Sequence, residues 1–368
     1  MRRKSIPWFA PETDREEVEL VLRVLRSNYI NDGDISRLFE TKIAKLLGVT
    51  HCVAVTSGTA ALTLALMGLG IGPQDEVIVP DLTFIATANA VRLTGATVKL
   101  VDIEPQRFTI NLEKLVSLIS HRTRAIVPVD VNGRGADYKY LEAIAKEKGL
   151  FLVSDSTEGL GSQWRGRYLG TFGDAGCFSF SPNKTITTGQ GGMIATNNTK
   201  LYYRLLELKD HGRRIQGSGG NDLHPVLGFN FKFTNLQAAV GLGQLKKLSR
   251  RLKKSRQRDN WYREFLQDCP SVKFPGILKN NNGEITQWTD ILVENREKLE
   301  CVLKSHNIGY RCFWYPLHRQ KPYLDKDNKY INAINISKSG LWLPSCFNIT
   351  RGQVGYISGV IRDNLPKG

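Results

Sequence analysis

The sequence predicts an α/β fold built on a largely parallel sheet, and three observations carry that prediction. Seven short apolar runs, at 51–55, 76–80, 97–103, 124–131, 151–156, 176–180 and 192–196, alternate with segments of helical periodicity. Most of these runs are rich in Val, Ile or Phe and almost continuously apolar, as strands covered on both faces must be. Beyond Pro270 the pattern shifts to shorter, loop-rich segments, which marks a smaller second unit. A chain of 368 residues, at roughly 150 per domain, fits two domains. We place them at 1–250 and 251–368, with the boundary inside a long helix read over residues 234 to about 265.

The elements follow in order. After Pro11, Thr13-Asp14-Arg15-Glu16 has the form of a capping box, and Val18, Val21, Leu22 and Leu25 recur at helical spacing up to Asn28. This first helix is a candidate to pack on the small domain. A second helix is predicted over 34–47, where Phe39, Ile43, Leu46 and Leu47 share a face and Gly48 supplies the stop. The strand and helix alternation then begins.

Composition narrows the class. Hydrophobic residues make up 41% and charged residues 23% of the chain, which is ordinary for a folded protein. No apolar run approaches the ~20 residues of a membrane helix. The basic start Met1-Arg2-Arg3-Lys4 leads to Pro7 and an acidic stretch, not to the apolar core of a signal peptide. A soluble, cytoplasmic chain is expected. The six cysteines, Cys52, Cys177, Cys269, Cys301, Cys312 and Cys346, show no CxxC spacing, so reduced core thiols are expected rather than a zinc site or a disulfide framework. The net charge of +16 brings an anionic partner into consideration and leaves its identity open. Much of it falls at 246–263, where Leu245, Leu248 and Leu252 space the cations like the solvated face of an amphipathic helix. No nucleic-acid motif or aromatic interleaving accompanies that run.

In open α/β sheets ligands gather beyond the carboxyl ends of the strands, and polar residues cluster after four segments. The first strand runs into Thr56-Ser57-Gly58-Thr59, a Gly turn at a helix N-terminus that can offer its N–H groups to a phosphate or serve as an ordinary cap. The strand at 151–153 ends in Ser154-Asp155-Ser156-Thr157-Glu158. A carboxylate at a buried strand end is costly unless donors or a cation meet it, so Asp155 faces a ligand cation or a metal, or caps a local turn. No His lies nearby to support a metal. The strand at 176–180 leads to Ser181-Pro182-Asn183-Lys184 and a Gly-rich turn. A lysine between a buried strand and such a turn is partly desolvated, which favours the neutral amine of Schiff-base chemistry, although a lysine so placed is, taken singly, more often a phosphate binder or structural. The fourth segment, Gly228-Phe229-Asn230, opens the long helix. Together, a phosphate cradle at Gly58 and Thr59, an acid at Asp155 and the amine of Lys184 are the parts needed for pyridoxal phosphate.

At these residues the chain resembles the sugar aminotransferases of the DegT/DnrJ/EryC1/StrS family, of the fold type I pyridoxal phosphate enzymes. The resemblance runs from Gly33 and Phe39-Glu40 through Ser57-Gly58-Thr59, residues 76–80, Asp155 with Glu158, Gly173-Asp174, Phe178-Ser179-Phe180 and Asn183-Lys184 to Tyr315-Pro316-Leu317-His318. Residues 183–192 look most like the GDP-perosamine synthase branch, which aminates a 4-keto-6-deoxy sugar on a nucleotide.

The resemblance implies a large domain with a mostly parallel seven-stranded sheet between helices, and a smaller C-terminal α+β domain. It implies that Lys184 carries the cofactor, Asp155 meets the pyridine nitrogen and Glu158 reaches the ring hydroxyl. Phe84 would stack on the ring. Gly58, Thr59 and Ser179 would bind the phosphate, together with Asn230 from the neighbouring subunit of a homodimer with shared active sites. No metal is implied. Arg311 and His318 lead the candidates for the anionic substrate, ahead of Arg213, Arg214 and Arg319.

The implied reaction is transamination from glutamate to GDP-4-keto-6-deoxymannose, giving GDP-perosamine. The alternative is a UDP- or dTDP-linked 3- or 4-keto sugar. Two departures stand out: Glu158 occupies a place where many relatives have glutamine, and Asn132-Gly133-Arg134 replaces a more usual Tyr-Gly-Gln run. A branch with histidine at the lysine position dehydrates instead, and Lys184 argues against it. A non-catalytic nucleotide- or nucleic-acid-binding protein would leave the pair Asp155 and Lys184 unexplained. No GxGxxG follows the first strand, which weakens a nicotinamide enzyme.

Overall fold

The computed structural model describes residues 5–214, 222–276, 283–326 and 329–365; the basic start at residues 1–4 lies outside them. Seven strands form the central sheet: β1 (His51–Val55), β2 (Glu76–Pro80), β3 (Thr97–Val101), β4 (Thr123–Ile126), β5 (Phe151–Asp155), β6 (Ala175–Ser179) and β7 (Gly192–Thr196). They lie side by side in the order β1-β7-β6-β5-β4-β2-β3. Neighbours are parallel except at β7, which runs against both β1 and β6. The expected α/β sheet is therefore present. The run read at 124–131 ends early, at Ile126, and residues 131–133 form a 3₁₀ turn instead.

Helices α1 (Arg15–Arg26) and α2 (Asp34–Leu47) precede the sheet, and α3 (Gly58–Gly68), α4 (Ala86–Leu93), α5 (Leu112–Leu118) and α6 (Tyr138–Lys148) fill the crossovers between parallel strands. Helix α7 (Thr199–Lys209) follows β7. Successive strand residues point to opposite faces, and both faces are covered. Val53 and Val55 join the apolar cluster of α3, whereas Cys52 and Ala54 join Phe39 and Phe178 on the other side. That is why the strands read as continuous apolar runs. Helix α2 spans the predicted residues and ends at Gly48 in the left-handed region. The capping box of α1 sits one residue later than read: Asp14 is the cap and Glu17, not Glu16, reaches back to its N–H.

The long helix read over 234–265 is two helices, α8 (Asn235–Lys246) and α9 (Leu248–Leu266), interrupted at Lys247. Beyond them, β8 (Val272–Lys273), β9 (Asp290–Val293), β10 (Arg311–Cys312) and β11 (Gly340–Trp342) form an antiparallel sheet in the order β8-β9-β11-β10. An apolar cluster of α9, α10 (Arg296–Ser305) and α12 (Arg351–Asn364) covers it, with α11 (Ile331–Ser339) between β10 and β11. Helix α1 packs on α8, where Glu17 takes hydrogen bonds from Gln244 and Lys247. The segment ahead of α1 is what reaches the C-terminal region, through Ile6 beside Ile308 and the carbonyl of Trp8 on the Ser345 N–H at 2.7 Å.

The basic run is not simply a solvated face. Lys247, Arg251 and Arg258 are buried. Arg258 donates to the carbonyls of Thr286, Gln287 and Ser345 and to the Thr289 hydroxyl, at 3.0–3.2 Å. Arg251 donates to the carbonyls of Thr185 and Glu12 at 3.0 Å. The spacing that placed Arg251 and Arg258 with the other cations gave no sign of these carbonyls, which come from distant loops. Four of the cysteines are buried free thiols, whereas Cys312 is half-buried and Cys301 is exposed.

Each buried acceptor orphaned by losing Arg258 costs about 1–3 kcal/mol. Arg258→Met should therefore lower the thermal unfolding midpoint by scanning fluorimetry well below that of Arg250→Met, a solvent-side control. Equal midpoints for the two variants would show that Arg258 does not hold this segment.

Candidate active site

The carboxyl ends of the parallel strands converge on one cavity of about 280 Å³. Residue Ser57 comes from the end of β1, Phe84 from the loop after β2, Asp155 from the last position of β5 and Ser179 from that of β6. Asn183 and Lys184 enter from the loop between β6 and β7, and Trp288, Arg311 and Trp314 from the C-terminal region. The chain enters α3 at the cavity. Ser57 Oγ caps the helix through the Ala60 N–H at 3.1 Å, and the first intrahelical donor is Ala61, so the amides of Gly58 and Thr59 come before the ladder. A Cβ on Gly58 would lie 3.0 Å from Ser179 Cβ and 3.1 Å from Thr157 Cγ2. Glycine keeps this corner open.

Asp155 is buried, and two donors meet it: the Thr87 hydroxyl at 2.7 Å on Oδ2 and the Thr157 N–H at 3.2 Å on Oδ1. Across the cavity, Lys184 Nζ lies 3.4 Å from Glu158 Oε1 and 5.3 Å from the centre of the Trp288 ring. The Asn132 N–H donates to Glu158 Oε2 at 2.9 Å. Phe84, a large aromatic that lines the cavity, is 52% exposed. Arg311 lies over the Trp8 and Trp342 rings, 5.2 and 5.7 Å from their centres.

The cavity thus gathers Gly58, Thr59, Phe84, Asp155, Glu158, Ser179, Lys184 and Arg311. Two sequence candidates lie elsewhere. Asn230 is exposed and bridges to Asp210, and it does not line the cavity of its own chain. His318 is buried: its Nδ1 is 2.6 Å from Asp81 Oδ2, its N–H donates to Asp81 Oδ1 at 2.7 Å, and its ring stacks on Tyr330. It fastens the C-terminal segment to the loop after β2 instead of facing the cavity. Arg213 and Arg214 pair with Asp222 and Glu207.

Sequence reading passed over Thr87, Trp288 and Trp314. For Asn132 it noted the departure but not the contacts. The Asn132-Gly133 dipeptide is a signal for left-handed backbone, and Asn132 has φ +53° and ψ +34°. No local pattern announces the other three.

The family model of the DegT/DnrJ/EryC1/StrS aminotransferases matches residues 11–362. Over 365 residues the chain is 36% identical to the GDP-perosamine synthase of Escherichia coli O157:H7, covering 98% of each chain. Over 337 residues it is 34% identical to the UDP-N-acetyl-3-dehydro-α-D-glucosamine 3-aminotransferase of Acidithiobacillus ferrooxidans, covering 90% of this chain and 89% of the other. A Streptococcus pneumoniae protein solved in its PLP form has a TM-score of 0.91 at 25% identity over 98% of both chains.

Beneath the cavity, the Asp130 N–H donates to the Asp155 carbonyl at 2.9 Å. The Asp130 carboxyl takes hydrogen bonds from the Tyr138 hydroxyl at 2.6 Å and the Ser156 hydroxyl at 2.5 Å. Burial pushes Asp130 from 3.8 up to about 7; the charges of Asp155 and Glu284 add to the rise, and the Ser156 and Tyr138 hydroxyls oppose it. The folded value lies above the unfolded one, so the native state binds this proton more tightly. Stability from Asp130 is full below about pH 4 and is lost as pH rises to about 7. Asn keeps the Tyr138 bond and carries no charge. The unfolding midpoint of Asp130→Asn, followed from pH 4 to 8, should therefore gain on that of the wild type up to about pH 7 and then run parallel to it. A constant difference throughout would show that Asp130 does not titrate there.

Proposed function

This chain belongs to the DegT/DnrJ/EryC1/StrS aminotransferase family, whose cofactor is pyridoxal 5′-phosphate, and from that premise we propose that it aminates a nucleotide-linked keto-deoxy sugar. The first choice is GDP-4-keto-6-deoxymannose converted to GDP-perosamine, with glutamate as the amino donor. One observation carries the reading: an amine, a buried carboxylate and an open helix N-terminus face a single cavity. The named activity of the relative from Escherichia coli supports the GDP-linked sugar. That of the relative from Acidithiobacillus ferrooxidans supports a UDP-linked second reading.

The residues present fit the cofactor. The corner kept open at Gly58, the amides of Gly58 and Thr59 and the Ser179 hydroxyl suit a phosphate at the positive end of α3. When bound, the cofactor supplies an electron sink for the carbon that loses its proton. Asp155, with Thr87 and Thr157 already on its oxygens, holds a proton on the ring nitrogen and keeps that sink strong. Glu158 meets the ring hydroxyl and Phe84 covers a ring face. Lys184 carries the cofactor and, as a free amine, takes the proton at the substrate carbon and returns it. Arg311 meets the diphosphate. Asn230 of a second copy completes the phosphate site, which makes the working form a homodimer.

Screening GDP-, dTDP- and UDP-linked keto sugars with glutamate and cofactor, read by mass spectrometry, should give an aminated GDP sugar. Lys184→Ala should yield neither that product nor a borohydride-reducible cofactor adduct. A 3-deoxy product without added nitrogen would instead place the chain among dehydratases.

The shared site has its own test. Asn230→Asp sets a carboxylate against the cofactor phosphate, and like charges at that distance weaken binding. Lys184→Ala disables the site of its own chain and Asn230→Asp that of its partner. In a mixed dimer both lesions fall in one site, and the other is intact. Co-refolding the two inactive variants should restore up to about half of wild-type activity within the mixed dimers. Verified mixed dimers that stay inactive, or a fully active monomer, would refute the shared site.

A further inference from the structure

Trp288 is joined to the site through its backbone, its Nε1 and its ring. Its N–H donates to Asn132 Oδ1 and its carbonyl accepts from Asn132 Nδ2, both at 2.8 Å, so one side-chain amide grips both backbone polar groups of one residue. Its Nε1 donates to the carbonyl of Asn183, the residue before Lys184, at 3.2 Å. Its ring lies 5.3 Å from Lys184 Nζ. Behind it stand Trp8 and Trp342, with ring centres 5.3 and 5.2 Å away, and Arg258 holds the carbonyl of Gln287 at 3.1 Å.

The contacts close into a circuit. Lys184 meets Glu158, Glu158 takes the Asn132 N–H, Asn132 grips Trp288, and Trp288 returns to Asn183 and Lys184. Asn132 holds left-handed backbone to do this, a conformation that Asn tolerates better than most residues. We propose that Trp288, set by Asn132, is a positioning residue for Lys184: its ring face and the Glu158 carboxylate hold the released side chain on the cavity side, within reach of the reacting atoms. A lysine chain has four flexible carbons and many rotamers. An aromatic face within about 6 Å attracts the protonated side chain and narrows that choice, so that the amine, once its proton has left, meets the reacting atoms from one place. The inference rests on the reading of Lys184 as the cofactor lysine.

The test compares wild type, Trp288→Phe, Trp288→Leu and Asn132→Gly, the last keeping the left-handed backbone while deleting the amide. The first readout is the rate at which cofactor-free protein takes up pyridoxal phosphate, followed by visible absorbance and trapped with borohydride. Trp288→Leu and Asn132→Gly should slow uptake about tenfold, and Trp288→Phe, which keeps an aromatic face, should stay within about threefold of wild type. In turnover, kcat should fall in the same order while KM for glutamate and for the sugar hardly changes. If Trp288→Leu fails to fold, Asn132→Gly carries the comparison. A folded Trp288→Leu or Asn132→Gly with wild-type uptake and kcat overturns the inference and leaves the Lys184 reading intact. A wild type with no reducible adduct at Lys184 overturns that reading itself, and the inference with it.

Discussion

A carboxylate enters a sheet covered on both faces only if donors wait for it there, and Asp155 imposes that condition on everything around it. It ends β5, the middle strand of the sheet, and is buried there. The Thr87 hydroxyl from α4 and the Thr157 N–H from the following turn meet its two oxygens. The chain beside it carries a second acid, Asp130, whose charge would oppose that of Asp155. Burial, with the Asp155 and Glu284 charges adding and the Tyr138 and Ser156 hydroxyls opposing, leaves Asp130 titrating at about 7 instead.

The cavity depends equally on parts of the chain far from the sheet. Trp8 near the N-terminus and Trp288, Trp314 and Trp342 of the C-terminal region form one aromatic group, and Trp288 and Trp314 line the site. Buried cations tie that group down through backbone carbonyls. Arg258 fastens the stretch that carries Trp288, and Arg251 fastens the carbonyl of Thr185 next to Lys184. A guanidinium has five donors in a fixed fork, so it can collect carbonyls from separate loops. The charge of these two residues is therefore spent inside the molecule, and the +16 balance overstates what the surface offers an anionic partner.

The sequence by itself determined the sheet and which polar groups stand beyond the carboxyl ends of its strands. Apolar runs buried on two faces have a signature of their own, so the strands were legible to within a residue or two, apart from the end of β4. The polar groups that follow them, Ser57-Gly58-Thr59, Asp155 and Lys184, were legible because costly residues at strand ends need a reason. Tertiary structure decided what depends on a distant partner. Whether Arg251 and Arg258 face solvent is settled by carbonyls that local periodicity does not contain. The burial of His318 is settled by Asp81, 237 residues away, and the place of Trp288 by an amide 156 residues away. A hydrogen bond between remote segments leaves no periodic trace in either, since each sees only a polar atom that must be met when water is gone.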